Sequence, residues 1–224
     1  MILFDIGANS GGATAVGLSQ GYKVIALDAA PKIFQTLVKN YIYNPSVIPL
    51  KYAVSDVDNQ SVEFYETIDT DALSTLNIEW LTSDTMPYNG FKYRTIKANT
   101  ITIDTLAKIY GEPTLIKIDV EGAEWKVLRG MTKHHGELTL EWTIQTLDAH
   151  EEQLNYLYSL GYRKFAPQYI VEHLERPTEW FSLKENNKGE VYKWIKKTSH
   201  AWESGGWQVA NLRWSADVGM LWVR

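Results

Sequence analysis

The run Leu115-Ile116-Lys117-Ile118-Asp119-Val120-Glu121-Gly122-Ala123-Glu124 constrains this chain more than any other. Leu115, Ile116, Ile118 and Val120 make a short apolar strand broken by one lysine. A strand that is apolar toward both faces belongs inside a parallel sheet with helices packed on either side. Acids and a glycine follow at once, then good helix formers, with Glu121 and Glu124 read into the first helical turn, where the dipole favours anions. Ligands of open α/β sheets collect at the carboxyl ends of the strands, which is where Asp119 and Glu121 would stand. Alone, the same acids would serve as ordinary helix caps, so their meaning depends on the rest of the chain.

The rest of the chain supplies the matching strands and helices. Residues 2–6 read as a first strand, Gly7 to Gly12 as a turn and Ala13 to Ser19 as a helix. Lys23 to Asp28 is a second strand ending in an acid, and Pro31 opens a helix toward Asn44, since proline fits the first helical position. Val47 to Val54 is a third strand, with Pro49 restricting it to a short or edge-like start. Val62 to Glu66 and Tyr93 to Ile103 alternate with period two, which predicts added strands, paired as a hairpin around a polar loop. A helix over Ile103 to Tyr110 leads into the opening run, whose helix extends to Arg129 and stops at Gly130. Glu137 to Trp142 is a strand, His150 to Leu160 a helix, and Tyr162 to Phe165 and Val218 to Val223 the last two strands. Strands alternating with helices predict a doubly wound α/β sheet. A length of 224 residues fits one such domain. Residues 1–142 form its cofactor-binding core and 166–217 an irregular insert on the substrate side.

Composition narrows the function classes. The net charge is −5, and the one basic cluster, Lys193, Lys196 and Lys197, reads as a solvated helix face, so nucleic acid is not an expected partner. With no cysteine, disulfides, thiolate metal sites and thiol nucleophiles are excluded, and a reducing compartment, the cytoplasm, is the expected location. No apolar run reaches the roughly 18 residues that would span a membrane, and Met1 to Asp5 does not resemble a signal peptide. Oligomeric state is not legible.

The turn Asp5-Ile6-Gly7-Ala8-Asn9-Ser10-Gly11 follows the first strand directly. Glycine lets a backbone approach a ligand closely. The acid before it would repel a pyrophosphate and attract an ammonium group, which favours S-adenosylmethionine (SAM) over a dinucleotide. Asp28, at the end of the second strand, is placed to accept ribose hydroxyls.

Asp5-x-Gly7-x-Asn9, Asp28, Ala53-Val54-Ser55-Asp56, the run from Ile116 to Glu124 and Val127-Leu128-Arg129-Gly130 together resemble the FkbM family of SAM-dependent methyltransferases, over residues 1 to about 142. The resemblance implies a Rossmann-like, seven-stranded, mostly parallel sheet with an antiparallel last strand. It also implies O-methylation, often of sugars or natural products, with S-adenosylhomocysteine (SAH) as product. In that scheme Asp5, Gly7, Ala8, Asn9 and Ser10 line the methionine side of the cofactor, and Asp119 also binds the cofactor. Asp28 and Ala29 hold the ribose, and Ala53, Val54 and Asp56 lie by the adenine. The chain lacks the N-terminal extension of that pattern, which makes it a candidate module of a larger polypeptide or leaves the 166–217 insert to act as lid.

Methyl transfer from a sulfonium is an in-line displacement, so alignment supplies much of the acceleration, and an alcohol acceptor needs a base for its proton. The candidates are Asp119 and Glu121 as base or substrate-orienting pair, then Glu141 on the neighbouring strand, with His134 and His135 as weaker alternatives. Three carboxylates would also suit a divalent cation, but nothing in the spacing demands one and no metal ligands are assigned. Six of the nine tryptophans fall within residues 180–224. Trp180, Trp202, Trp207 and Trp214, near Glu203 to Gly206 and Arg213, would stack on sugar rings or fill a small core. With the family resemblance, these tryptophans make a carbohydrate or glycoconjugate the expected acceptor, and the resemblance implies a deoxyhexose such as rhamnose among the candidates. A small natural product is the alternative, and a non-catalytic binding module a second.

Overall fold

The computed structural model describes residues 1–86, 88–143, 147–169, 174, 176–178, 180–184 and 218–224. The main sheet contains β1 (Ile2–Ile6), β2 (Lys23–Leu27), β3 (Val47–Leu50), β7 (Leu115–Ile118), β8 (Glu137–Thr143), β9 (Lys164–Tyr169), β10 (Phe181–Ser182) and β11 (Val218–Val223). Its order is β10-β9-β11-β8-β7-β1-β2-β3. The pairs β3–β2, β2–β1, β1–β7 and β7–β8 are parallel, whereas β11 runs antiparallel to both β8 and β9. This is the expected Rossmann-like α/β sheet of seven strands with its last strand reversed, extended by the two-residue β10.

Period two along each strand divides the core. Phe4, Ile6, Ile25, Leu27, Ile116 and Ile118 pack on one face against α4 (Ile103–Tyr110), α5 (Glu124–Arg129) and α6 (Leu147–Ser159). Leu3, Val24, Ala26 and Leu115 pack on the other against α1 (Gly12–Ser19) and α2 (Pro31–Tyr41). Because both faces are covered, the strands carry little alternation in polarity. Within β1 and β7 the polar positions are Asp5 and Lys117, which pair in register near the carboxyl end, and β8 does alternate, with Thr139 and Glu141 between Leu138, Leu140 and Trp142.

A second, three-stranded sheet stands beside the first, in the order β4-β6-β5, from β4 (Ala53–Val54), β5 (Ser61–Thr67) and β6 (Tyr93–Ile101). β5 and β6 form the expected antiparallel pairing, from Ser61↔Asn99 to Thr67↔Tyr93. Between them lies α3 (Glu79–Thr82), a single turn whose Trp80 and Leu81 are buried.

Apart from small shifts at the ends of α2, α6 and β9, three departures from expectation bear on the site. The third strand divides: β3 closes the edge of the main sheet, as Pro49 allows, while Ala53 and Val54 leave it to pair with β6. The helix after β7 starts at Glu124, because Glu121 and Gly122 have φ of 58° and 82°, outside the right-handed helical region. Residues 166–169, expected in the insert, continue β9. Most of 166–217 lies outside the described residues, with Lys193, Trp194, Lys196, Lys197, Trp202, Glu203 to Gly206, Trp207, Arg213 and Trp214. No described helix is long and apolar enough to cross a membrane.

Candidate active site

Two turns at the carboxyl end of the sheet, after β1 and after β7, are built against each other. Gly7 and Ala8 donate their N–H groups to the Leu27 carbonyl, at 3.0 and 2.8 Å, which folds the first turn over β2. Gly7 has φ 73°, and a Cβ there would lie 1.8 Å from the carbonyl oxygen of Asp119. Only glycine permits this contact between the turns. Lys117 fastens the pair from below: its Nζ donates to the Gly7 carbonyl at 2.7 Å and lies 3.2 Å from Asp119 Oδ2 and 3.6 Å from Asp5 Oδ1. Burial alone would lower the Lys117 pKa, but the carboxylates of Asp119 and Asp5 outweigh it and hold the ammonium above its ordinary value. Asp5 is fully buried and accepts a hydrogen bond from the Thr14 hydroxyl at 2.6 Å. It anchors the turn from behind and is not on the cavity wall.

In front of the turns opens a cavity of about 630 Å³, within the usual size for a small-molecule site. Gly7, Ala8, Asn9 and Ser10 form one side. Asp28 and Ala29 follow, and Ala53 and Val54 close the far end with Ile33, Tyr52, Phe64 and Leu76. Asn9 takes up a left-handed φ of 51° and so aims its N–H at Asp28 Oδ2, at 3.0 Å, while Ala30 N–H meets Oδ1 at 2.9 Å. Burial pushes the Asp28 carboxyl up from 3.8 to about 6, against the lowering effect of those two N–H groups and of Lys117. A carboxylate beside a glycine turn, with an apolar slot beyond it, fits a nucleoside. Asp56 is not on the cavity wall and pairs instead with Arg129 at 2.9 Å.

At the other end of the cavity stand Asp119, Glu121 and Glu141. Asp119 follows β7, Glu121 occupies the strained turn and Glu141 projects from β8, yet one carboxylate oxygen of each lies within 4.8 Å of the other two. Burial, then the charges of Asp119 and Glu124, raises Glu121 well above the usual carboxylate value. Burial, then Glu121 and Asp119, does the same to Glu141. Glu124, which accepts the Val120 N–H at 3.0 Å, is raised to about 7, chiefly by burial. Glu141 is 7% exposed, and its Oε2 has no hydrogen-bond partner among the described residues.

The small sheet supplies a roof that the sequence did not disclose. Trp80 Nε1 donates to Glu121 Oε2 at 3.1 Å, and Asn77 Nδ2 donates to the Gly122 carbonyl at 3.1 Å. The Trp80 ring presses on Gly122 so closely that a Cβ would fall 2.5 Å from it. Tyr88 is buried against Trp80, with ring centroids 5.1 Å apart. Burial, and then the charges of Glu121, Glu141 and Asp119, raise its hydroxyl pKa. An isolated tryptophan between two period-two segments carries no local signal for this position.

The histidines do not join the site. His135 is buried with its ring nitrogens 2.8 Å from Asp104 and from Glu112, just before β8, and His134 stacks on Tyr162 at 4.1 Å. Both precede the amino end of β8, whereas the cavity lies at the carboxyl ends. Of the proposed aromatic wall, Trp180 packs under Arg224, its ring centroid 4.0 Å from the guanidinium carbon, and Trp202, Trp207 and Trp214 lie outside the described residues.

Comparison with known proteins adds a family. Residues 5–164 match the family described as Methyltransferase FkbM domain. No curated protein matches the chain. Similar solved structures include a precorrin-6y C5,15-methyltransferase from Geobacter metallireducens (10% identity, 100% of this chain and 80% of that one, TM-score 0.41). A precorrin 8w decarboxylase from Methanobacterium thermoautotrophicum matches at 14% identity, 100% and 81% coverage and TM-score 0.43. The plantazolicin methyltransferase BpumL, in complex with SAH, matches at 8% identity, 100% and 76% coverage and TM-score 0.43.

Proposed function

Since the chain belongs to the FkbM methyltransferase family, whose methyl donor is SAM, we propose that it transfers a methyl group to a sugar hydroxyl of a glycan or glycoconjugate. The observation that carries this reading is one cavity with a nucleoside-compatible end at Asp28 and an acid end at Asp119, Glu121 and Glu141. The cofactor supplies an electrophilic methyl on a sulfonium. Ionised Asp28 accepts the ribose hydroxyls, and the Gly7 to Ser10 backbone borders the methionine part. The apolar slot near Ala53, Val54 and Phe64 takes the base. Asp5, through Thr14 and Lys117, keeps the turn in place.

Asp119 and Glu121 orient the acceptor and take its proton, with Glu141 beside them. As the acceptor oxygen forms its bond to the methyl carbon, the carbon–sulfur bond breaks. The hydroxyl proton passes to a carboxylate, and the products are a methyl ether and SAH. A carboxylate within hydrogen-bond reach of the attacking hydroxyl is the base such a step needs. Vicinal hydroxyls of a sugar ring match several acceptor oxygens at once, which favours a carbohydrate over an isolated alcohol. Residues 166–217 complete the same single domain as an acceptor-side insert in this reading.

The test is incubation of the purified chain with methyl-labelled SAM and a panel of glycans, deoxyhexose-containing ones included, followed by linkage analysis. The expected result is label as a methyl ether on one sugar position. Label on a lipid or small metabolite but on no sugar would overturn the acceptor assignment. Replacing Asp119 by Ala should abolish turnover while the fold survives, as read by circular dichroism.

A further inference from the structure

Resting on the methyl-transfer reading of this cavity, we propose that Asp119, Glu121 and Glu141 bind a hard divalent cation of the magnesium or manganese type, which then holds the acceptor oxygen. Each carboxylate comes from a different place in the fold, the end of β7, the turn beyond it and the β8 strand, and all three converge on one point. Opposed oxygens on such an ion stand about 4.2 Å apart, twice the metal–oxygen distance. Only two of the three donors can be opposed and neighbouring ones stand closer, about 3 Å apart, so oxygens within 4.8 Å of one another would close up by side-chain rotation to share one ion.

A second observation points to a ligand. Glu141 Oε2 is buried and has no hydrogen-bond partner among the described residues, although Glu141 lines the cavity. Leaving such an oxygen unpartnered is costly, and a cation would satisfy it. Lys117 is spent on the Gly7 carbonyl, Asp119 and Asp5. The Trp80 N–H holds the Glu121 carboxylate in orientation, as an outer partner does for a metal ligand. All the donors are carboxylates, which suits magnesium, manganese or calcium and not zinc. Three protein ligands leave positions facing the cavity for the acceptor oxygen and water.

The test uses the full chain and Mn²⁺ itself. Electron paramagnetic resonance of free Mn²⁺, titrated with protein with and without SAH, should reveal one bound ion per chain, displaceable by Mg²⁺. Glu141→Gln should weaken that binding by at least about tenfold while still binding SAH by calorimetry. Should Glu141→Gln fail to fold, Glu121→Gln provides the same reading. Wild-type protein that binds SAH but no Mn²⁺, or a variant that binds Mn²⁺ as tightly as the wild type, would overturn the site and leave methyl transfer standing. A site that is present while wild-type protein fails to bind SAH would instead remove the reading on which its role depends.

Discussion

In the proposed reading, Asp28 is the residue on whose ionisation cofactor binding depends. It is held up near 6 by burial, so the folded protein keeps a proton there that an unfolded chain gives up from about pH 4. Its contribution to stability is therefore greatest below pH 4 and falls as pH rises toward 6. If Asp28 holds the ribose as proposed, cofactor binding has the opposite sign, because the hydroxyls need the carboxylate. Calorimetry across pH 5–8 should show SAH affinity weakening as pH falls below about 6, approaching tenfold per unit, and Asp28→Asn should flatten that profile. Gly7→Ala puts a Cβ on the Asp119 carbonyl at a positive φ. Chemical denaturation should show a loss of about 3 kcal/mol or more, and SAH binding should disappear. Lys117→Met strands the buried Asp5 carboxylate and should cost about 3–5 kcal/mol in the same measurement. Asp28 and Gly7 were legible in the sequence because each ends or follows a strand in a recognisable pattern. The tie made by Lys117 was not, because it depends on which strands become neighbours.

Among the elements, the apolar strands and amphipathic helices declared themselves by period, and the β5–β6 hairpin did so by alternation alone. The start of α5 was misplaced because a non-glycine residue, Glu121, adopts φ 58°, a conformation that propensity does not predict. The roof was invisible for a different reason. Trp80 gains its meaning from contact with Glu121 and Gly122, some forty positions away in sequence. Trp80→Phe should keep the fold and SAH affinity but raise the KM for acceptor, since only the hydrogen bond to Glu121 is lost. Trp80→Ala should also cost about 3–5 kcal/mol by thermal or chemical unfolding. If both variants have wild-type KM, the roof has no part in acceptor binding.

For the molecule as a whole, the sheet order places β11 between β8 and β9, each reached across a long stretch of chain. Glu141 pairs in register with Met220. The half of the molecule around Asp28 uses β1, β2 and β3, which are close together in sequence. The half carrying Glu141 is flanked by the strand that comes latest. During synthesis, then, the nucleoside half can assemble while β8 still presents an open edge, an exposure that invites pairing with other chains. Only the emergence of residues 218–223 closes that edge and seals Glu141 beneath it. In the proposed reading, this order of translation would let the cofactor end of the cavity assemble before the acid end is enclosed, and chaperone protection would matter most in that interval.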